Sequence, residues 1–174
     1  WNSTGEKIIC FKAFNNTGNY IINKDGSGIE VVLTGGKGVR TCSWSPNDSI
    51  IAASSYKTVR LVHYYEGYEE SVAYNKPSLV SVNGVCWIPS GNRLLWGPSS
   101  QPEILDIETG NSQTLLPFCD KMEYSYPSVT ADGRYALFNL NIGGYVGYNL
   151  TQTKRRLSRI DLTTNTETIL ELPE

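Results

Sequence analysis

A repeat of about 43 residues limits what this chain can fold into more than any other feature of its sequence. Three stretches superimpose when written out. They are Thr41-Cys-Ser-Trp-Ser-Pro-Asn-Asp-Ser-Ile-Ile-Ala-Ala-Ser-Ser55, Gly84-Val-Cys-Trp-Ile-Pro-Ser-Gly-Asn-Arg-Leu-Leu-Trp-Gly-Pro98 and Tyr126-Pro-Ser-Val-Thr-Ala-Asp-Gly-Arg-Tyr-Ala-Leu-Phe138. Each reads as strand, tight turn, strand. The turn positions Asp48, Gly91 and Gly133 lie 43 and 42 residues apart. One further step back reaches Gly5, so a fourth copy opens the chain and Trp1 is the stub of its first strand. Each copy continues with a strand closing in a turn at Gly26, Gly67, Gly110 or Asn165, where a residue with positive φ is at home. A last strand follows, expected at 29–34, 69–74, 112–116 and 167–172. Four meandering strands per repeat make one blade of a β-propeller.

The expected fold is therefore all-β: four antiparallel four-stranded blades in a single region, 1–174, with repeats at about 1–44, 45–87, 88–129 and 130–174. The phase leaves the first blade without most of its inner strand. A lone twisted sheet cannot cover both of its faces, so blades must stack. The alternation of Ile50 with Ala52 and of Leu94 with Trp96 supplies apolar side chains to the layers between them. Trp44 and Trp87, at matching inner-strand positions, are read as packing anchors. Four blades sit at the lower limit for a closed ring. The chain is thus expected to be part of a larger ring, or an open arc whose uncovered faces invite association.

Composition agrees and removes several classes. Hydrophobic residues make up 40% of 174 and charged residues 18%, which suits a globular β-rich chain. A formal net charge of −2 gives no basic field for nucleic acid. No apolar run approaches the roughly 20 residues needed to span a bilayer. The four cysteines, Cys10, Cys42, Cys86 and Cys119, form no CxxC pair, and His63 stands alone, so neither a metal site nor a cofactor is expected. The thiols are read as buried and structural. A Cys42–Cys86 disulfide is not expected, because neighbouring blades hold such positions too far apart.

These residues resemble the WD-repeat and TolB-like propeller families. Trp44-Ser-Pro-Asn-Asp-Ser-Ile-Ile-Ala-Ala-Ser54 is similar to a core shared by both. Ile22-Asn-Lys-Asp-Gly-Ser-Gly28 is more TolB-like, whereas Lys57-Thr-Val-Arg-Leu61 and Ile104-Leu-Asp-Ile-Glu-Thr-Gly110 are closer to WD repeats. The Gly-His and Trp-Asp pairs of WD repeats are absent. In such propellers, loops on one face carry ligands. The resemblance places these loops at 15–18, 35–40, 56–57, 75–83, 98–102, 117–126 and 139–154. Binding candidates in and beside these loops are Arg40, Tyr124, Tyr126, Tyr145, Tyr148, Lys154, Arg155 and Arg156, the last three forming a basic run that reads first as a solvated strand end and second as an anion site. The last loop holds about a dozen extra residues, is Gly-rich and aromatic, and reads either as a binding loop or as a plain surface hairpin. Tyr64, Tyr65 and Tyr68 are read as packing between blades, and 24–28 as a tight turn rather than a calcium loop. Asn2, Asn15, Asn47 and Asn149 open Asn-x-Ser/Thr sequons and are glycosylation candidates if the chain is secreted.

No catalytic constellation is legible. There is no Gly-x-Ser-x-Gly elbow, and the metal-binding histidines of propeller lyases are missing. The expectation is a non-catalytic module that binds a protein partner. Two alternatives stand beside it: a structural or self-assembling surface protein, and the propeller portion of a larger hydrolase of the prolyl-oligopeptidase type. Low charge, no initiating Met and the TolB-like features lean toward an extracytoplasmic place.

Overall fold

The computed structural model describes residues 1–12, 18–34, 41–54, 58–75, 82–98, 101–119, 121–143, 145–146, 149–150 and 154–171. It is built of antiparallel strands. The first sheet holds β1 (Lys7–Lys12), β2 (Gly18–Asn23) and β3 (Glu30–Thr34). The second holds β4 (Thr41–Trp44), β5 (Ile50–Ser54), β6 (Thr58–His63) and β7 (Glu69–Asn75). The third holds β8 (Val82–Trp87), β9 (Arg93–Pro98), β10 (Glu103–Asp106) and β11 (Ser112–Thr114). The fourth is β12 (Met122–Val129), β13 (Tyr135–Ile142), β16 (Lys154–Asp161) and β17 (Thr166–Leu170), with a small β14 (Tyr145–Val146) and β15 (Asn149–Leu150) hairpin inserted. The first sheet has three strands, as the phase of the repeat requires. Among the described residues no helix is long and apolar enough to cross a membrane.

Sequence repeat and hydrogen-bonded sheet are out of step by one strand. Residues 1–44 carry the whole first sheet and then β4, which pairs into the second. The same offset recurs at β8 and β12. These three strands lie against one another. Side chains tie β4 to β8 across sheets: Val85 N–H donates to Thr41 Oγ1 (3.0 Å), and the Trp87 indole donates to the Ser43 carbonyl (3.1 Å).

The period-2 alternation of the strands sends their apolar residues into three layers between sheets. Ile21 and Val32 of the first sheet meet Trp44, Ile51, Ala53 and Val62 of the second. Ala52, Val59 and Leu61, from the opposite face, meet Val85, Trp87, Leu94, Trp96 and Leu105. Leu95 and Ile104 meet Tyr124, Ala136, Phe138, Leu140 and Ile160. The two tryptophans that recur in sequence are buried in these layers, as read. Tyr64 and Tyr68 also pack beside Trp44, and the Tyr68 hydroxyl donates to Glu30 of the first sheet. Tyr64 and Tyr65 lie in a 3₁₀ turn (Tyr64–Glu66) rather than in strand, and Tyr65 is exposed.

The turn after each inner strand is built the same way. Asn2, Ser45, Ile88 and Thr130 each donate a backbone N–H to the carbonyl five residues on, at 2.7–2.9 Å. Each turn needs one left-handed residue, filled by Gly5, Asp48, Gly91 and Gly133. Asp48 is the exception, a non-glycine at φ 59°. Its carboxylate accepts from Ser3 N (2.7 Å), Ser3 Oγ (2.7 Å) and Asn2 Nδ2 (3.1 Å), clamping the second sheet's turn to the first. Residues 24–28 form a tight turn closed by Asp25 Oδ1, which accepts from Ser27 N (2.9 Å).

The cysteines are all unpaired; Cys42, Cys86 and Cys119 are half-buried, and Cys10 departs furthest from expectation. It is exposed rather than buried, because its side of β1 faces away from the second sheet. Cys42, packed between sheets, has its thiol pushed up to about 12 by burial.

The Asp48 clamp predicts an unusual outcome. Asp48→Gly removes the backbone strain of a left-handed aspartate yet should lower unfolding stability by about 1–3 kcal/mol, since charge-assisted hydrogen bonds outweigh that strain. Urea denaturation of the full chain measures it.

Candidate functional site

A described cleft on the fourth sheet gathers several polar side chains, and a β-bulge shapes it. In the β12–β13 ladder Ser125 faces Asn139, but Ser128 faces Leu137, so β12 carries one extra residue. The bulge holds Tyr126, a non-glycine with φ 52°, followed by Pro127. Its neighbour Tyr124 points into the layer against the third sheet and is 2% exposed, whereas Tyr126 is turned out and is 63% exposed. Gly84 of β8 makes room for the bulge: a Cβ there would overlap the Pro127 ring.

The cleft has a volume of about 410 Å³ and is lined by Ser125, Tyr126, Asn139, Leu140, Asn141, Arg155 and Arg156. Cross-strand pairing explains the grouping. Asn141 lies opposite Arg155 and Leu140 opposite Arg156 on β13 and β16, and Asn139 lies opposite Ser125 on β12. The two guanidiniums differ in their surroundings. Arg156 is near Glu171 (3.7 Å) and donates to the Arg155 carbonyl (3.0 Å). Arg155 is exposed and has no ion-pair partner among the described residues. Asn141 donates to Glu123 (3.4 Å), which fixes its amide.

Of the residues expected to bind, Tyr126, Arg155 and Arg156 converge on this cleft. Lys154 begins the same strand and is exposed. Tyr124 sits in the core instead. Its hydroxyl donates to Glu167 (3.0 Å), which also accepts from Ser158 (2.6 Å), and burial followed by the Glu167 charge raises its pKa above the usual tyrosine range. It stays a neutral donor and structural. Both tyrosines lie in strand β12, not in a loop, because this inner strand starts at Met122. Tyr145 lies in β14 and Asn149 in β15, with their side chains outside the described residues. Arg40, Tyr148 and Asn15 are also outside them. The inserted segment is a hairpin in its described part. Asn2 uses its amide nitrogen on Thr4 and Asp48 and its oxygen on the Glu6 and Lys7 amides, while the Asn47 oxygen caps Ser45 and Ser49. The residues missed by sequence reading were Asn139, Asn141 and Ser125. Their signal was parity with Arg155 across the sheet, readable only once the pairing is known.

The two outward faces of the stack are unlike. Aligned through the shared turn, Ile8, Cys10 and Ile22 occupy the positions of Ile51, Ala53 and Val62 in the second sheet, Leu94, Trp96 and Leu105 in the third, and Ala136, Phe138 and Ile160 in the fourth. Those nine residues are all buried under the preceding sheet. In the first sheet the same positions face outward. On the opposite end, the pair Ala52–Leu61 and the pair Leu95–Ile104, both buried, are matched by Leu137–Arg159. Arg159 is exposed and lies over the Tyr135 ring (5.0 Å), with Arg134 at 4.9 Å from the same ring.

Comparison with solved structures places this architecture. No family model and no curated protein matches the chain. TolB from Acinetobacter baumannii superimposes with a TM-score of 0.77 at 15% identity, over 97% of this chain and 41% of that one. A chain of a nidogen/laminin complex gives 0.73 at 13%, over 99% and 62%. Oligogalacturonate lyase from Vibrio parahaemolyticus gives 0.58 at 15%, over 97% and 62%. The chain therefore has the fold of TolB-like β-propeller blades and spans between two fifths and two thirds of these similar chains. Among the described residues no three His, Cys, Asp or Glu side chains gather to hold a metal.

The bulge gives the site its test. Gly84→Ala should destabilise the fold by about 1–3 kcal/mol through overpacking against Pro127. The Tyr126 ring should also become mobile, read as a loss of its nuclear Overhauser contacts to the other cleft residues.

Proposed function

We propose that this chain is a non-catalytic propeller segment that binds a protein partner through the bulge cleft of its fourth sheet. The observation that carries the reading is Tyr126: a tyrosine in strained, left-handed backbone, turned out of a strand and ringed by two asparagines and two arginines. Strained backbone is retained where surrounding structure enforces it, and such positions cluster at binding sites. Tyrosine and arginine are the side chains that most often anchor protein interfaces. One similar chain belongs to a nidogen/laminin complex, which supports a protein partner. The similarity to a lyase is one of fold. Nothing in the cleft pairs a general base with a metal or a nucleophile.

A display selection of random peptides against the full chain tests this. Enriched peptides should lose at least tenfold in affinity to a Tyr126→Ala variant. Absence of enrichment, or binders indifferent to Tyr126, would overturn the reading.

The first sheet supports a second proposal, that another blade covers its outward face, as in a larger ring. Its positions Ile8, Cys10 and Ile22 repeat those buried at every other inter-blade layer. A partner blade would bury them as the preceding sheets bury Ile51, Leu94 and Ala136. In this chain alone, alkylation at pH 8 should label Cys10 and leave Cys42 protected, because a buried thiol with a pKa near 12 stays protonated. With the covering blade present, Cys10 should become protected too. Persistent labelling of Cys10 in the complete ring would dismiss the proposal.

A further inference from the structure

The cleft on the fourth sheet holds two arginines that are not equivalent, and the difference bears on what enters it. Arg156 already has a carboxylate near it: Glu171 Oε1 is 3.7 Å from its Nη2, and its Nη1 is tied to the Arg155 carbonyl at 3.0 Å. Arg155 projects beside Asn141 with no carboxylate of its own among the described residues. Glu123, the other acid close to the cleft, accepts from Asn141 at 3.4 Å. The acids flanking the cleft thus already face a donor. Arg155 presents a planar fork of donors to the open side.

Around Arg155 stand groups that would complete a carboxylate's surroundings. Tyr126 is exposed, and Gly84 leaves room for the Pro127 ring that follows it. Asn139 is exposed on β13, opposite Ser125. A guanidinium fork binds a carboxylate through two parallel N–H···O bonds, and amide or phenol donors can satisfy the remaining lone pairs. A volume of about 410 Å³ admits one or two side chains of a peptide and no folded element.

Resting on the protein-binding reading above, we infer that the cleft selects an acidic peptide segment, with a Glu or Asp side chain of the partner paired to Arg155 and its neighbouring residue laid against Tyr126. The exposed Tyr126 ring contacts the aliphatic part of the segment. Arg156, held by Glu171, orients the cleft wall and is a positioning residue. Because Arg155 is exposed, the pairing is screened by salt.

Fluorescence anisotropy on the full chain tests this with a labelled five-residue peptide containing two glutamates and the same peptide with glutamines in their place. The acidic peptide should bind at least tenfold more tightly, and this preference should shrink between 50 mM and 500 mM salt. Arg155→Gln should remove the preference, while Arg155→Lys should keep part of it; circular dichroism and the urea midpoint should match those of the unaltered chain. Equal binding of the two peptides, no binding of either, or a preference that survives Arg155→Gln overturns the inference. So would tighter binding of digalacturonate than of the acidic peptide, which would move the site to sugar acids. Failure here is distinct from failure of the binding reading. Display-selected peptides that depend on Tyr126 but show no bias for acids would leave that reading standing and dispose of this one alone.

Discussion

Burial of the two middle sheets on both faces is the constraint on which the rest of this structure depends. A four-stranded sheet with apolar residues on one side alone could rest against solvent on the other. Here Ile51 and Ala52, adjacent in β5, point to opposite faces and are both fully buried, as are Leu94 and Leu95 in β9. Neither face can be left wet without loss of about 25 cal/mol for every Å² of apolar surface returned to water. Register follows from this. A slip of one residue would exchange the two faces of a strand and set every layer against the wrong partner. The hydrogen bonds between inner strands, and the Asp48 carboxylate on Ser3 and Asn2, then fix the angle at which consecutive sheets meet.

Against that background the ends of the stack carry information. The first sheet keeps on its outward side the residue types that the others bury. The fourth sheet does not: Arg159 stands where Leu61 and Ile104 are packed, and Asn139 and Arg155 follow on the same side. One end therefore presents the residue types already packed in three layers within the chain. The other has exchanged them for polar groups and a cleft. The polar cleft sits where the requirement for an apolar layer has been lifted.

Much of the fold was legible because the repeat states both period and parity. The turn positions, the buried tryptophans and the missing strand of the first sheet could be read directly. The cleft was legible in part. Arg155 and Arg156 stood out as a basic run and Tyr126 as the end of an expected loop. Tyr124 and Tyr126, two residues apart, should share a face by parity. The extra residue in β12 breaks that parity, so one is core and the other surface. Nothing local in Tyr124-Ser-Tyr-Pro127 announces the bulge; its cause lies across the sheets in the room left by Gly84. Cys10 was misjudged for a related reason. Its sequence neighbourhood matches that of buried positions, and exposure depends on whether a sheet lies over it. The aspartate in a left-handed turn position looked like a simple substitute for glycine, and its role as an acceptor for the preceding turn appears only in three dimensions.

The one-strand offset between repeat and sheet bears on how such a chain comes apart. Unravelling residues 45–87 would take β5, β6 and β7 from the second sheet and β8 from the third at once. No repeat can melt by itself, because each shares a sheet with a neighbouring repeat. Nearest-neighbour coupling of this kind turns a row of modest units into a single cooperative transition. It also means that insertion or loss of one whole 43-residue unit lengthens or shortens the row without leaving a torn sheet inside it.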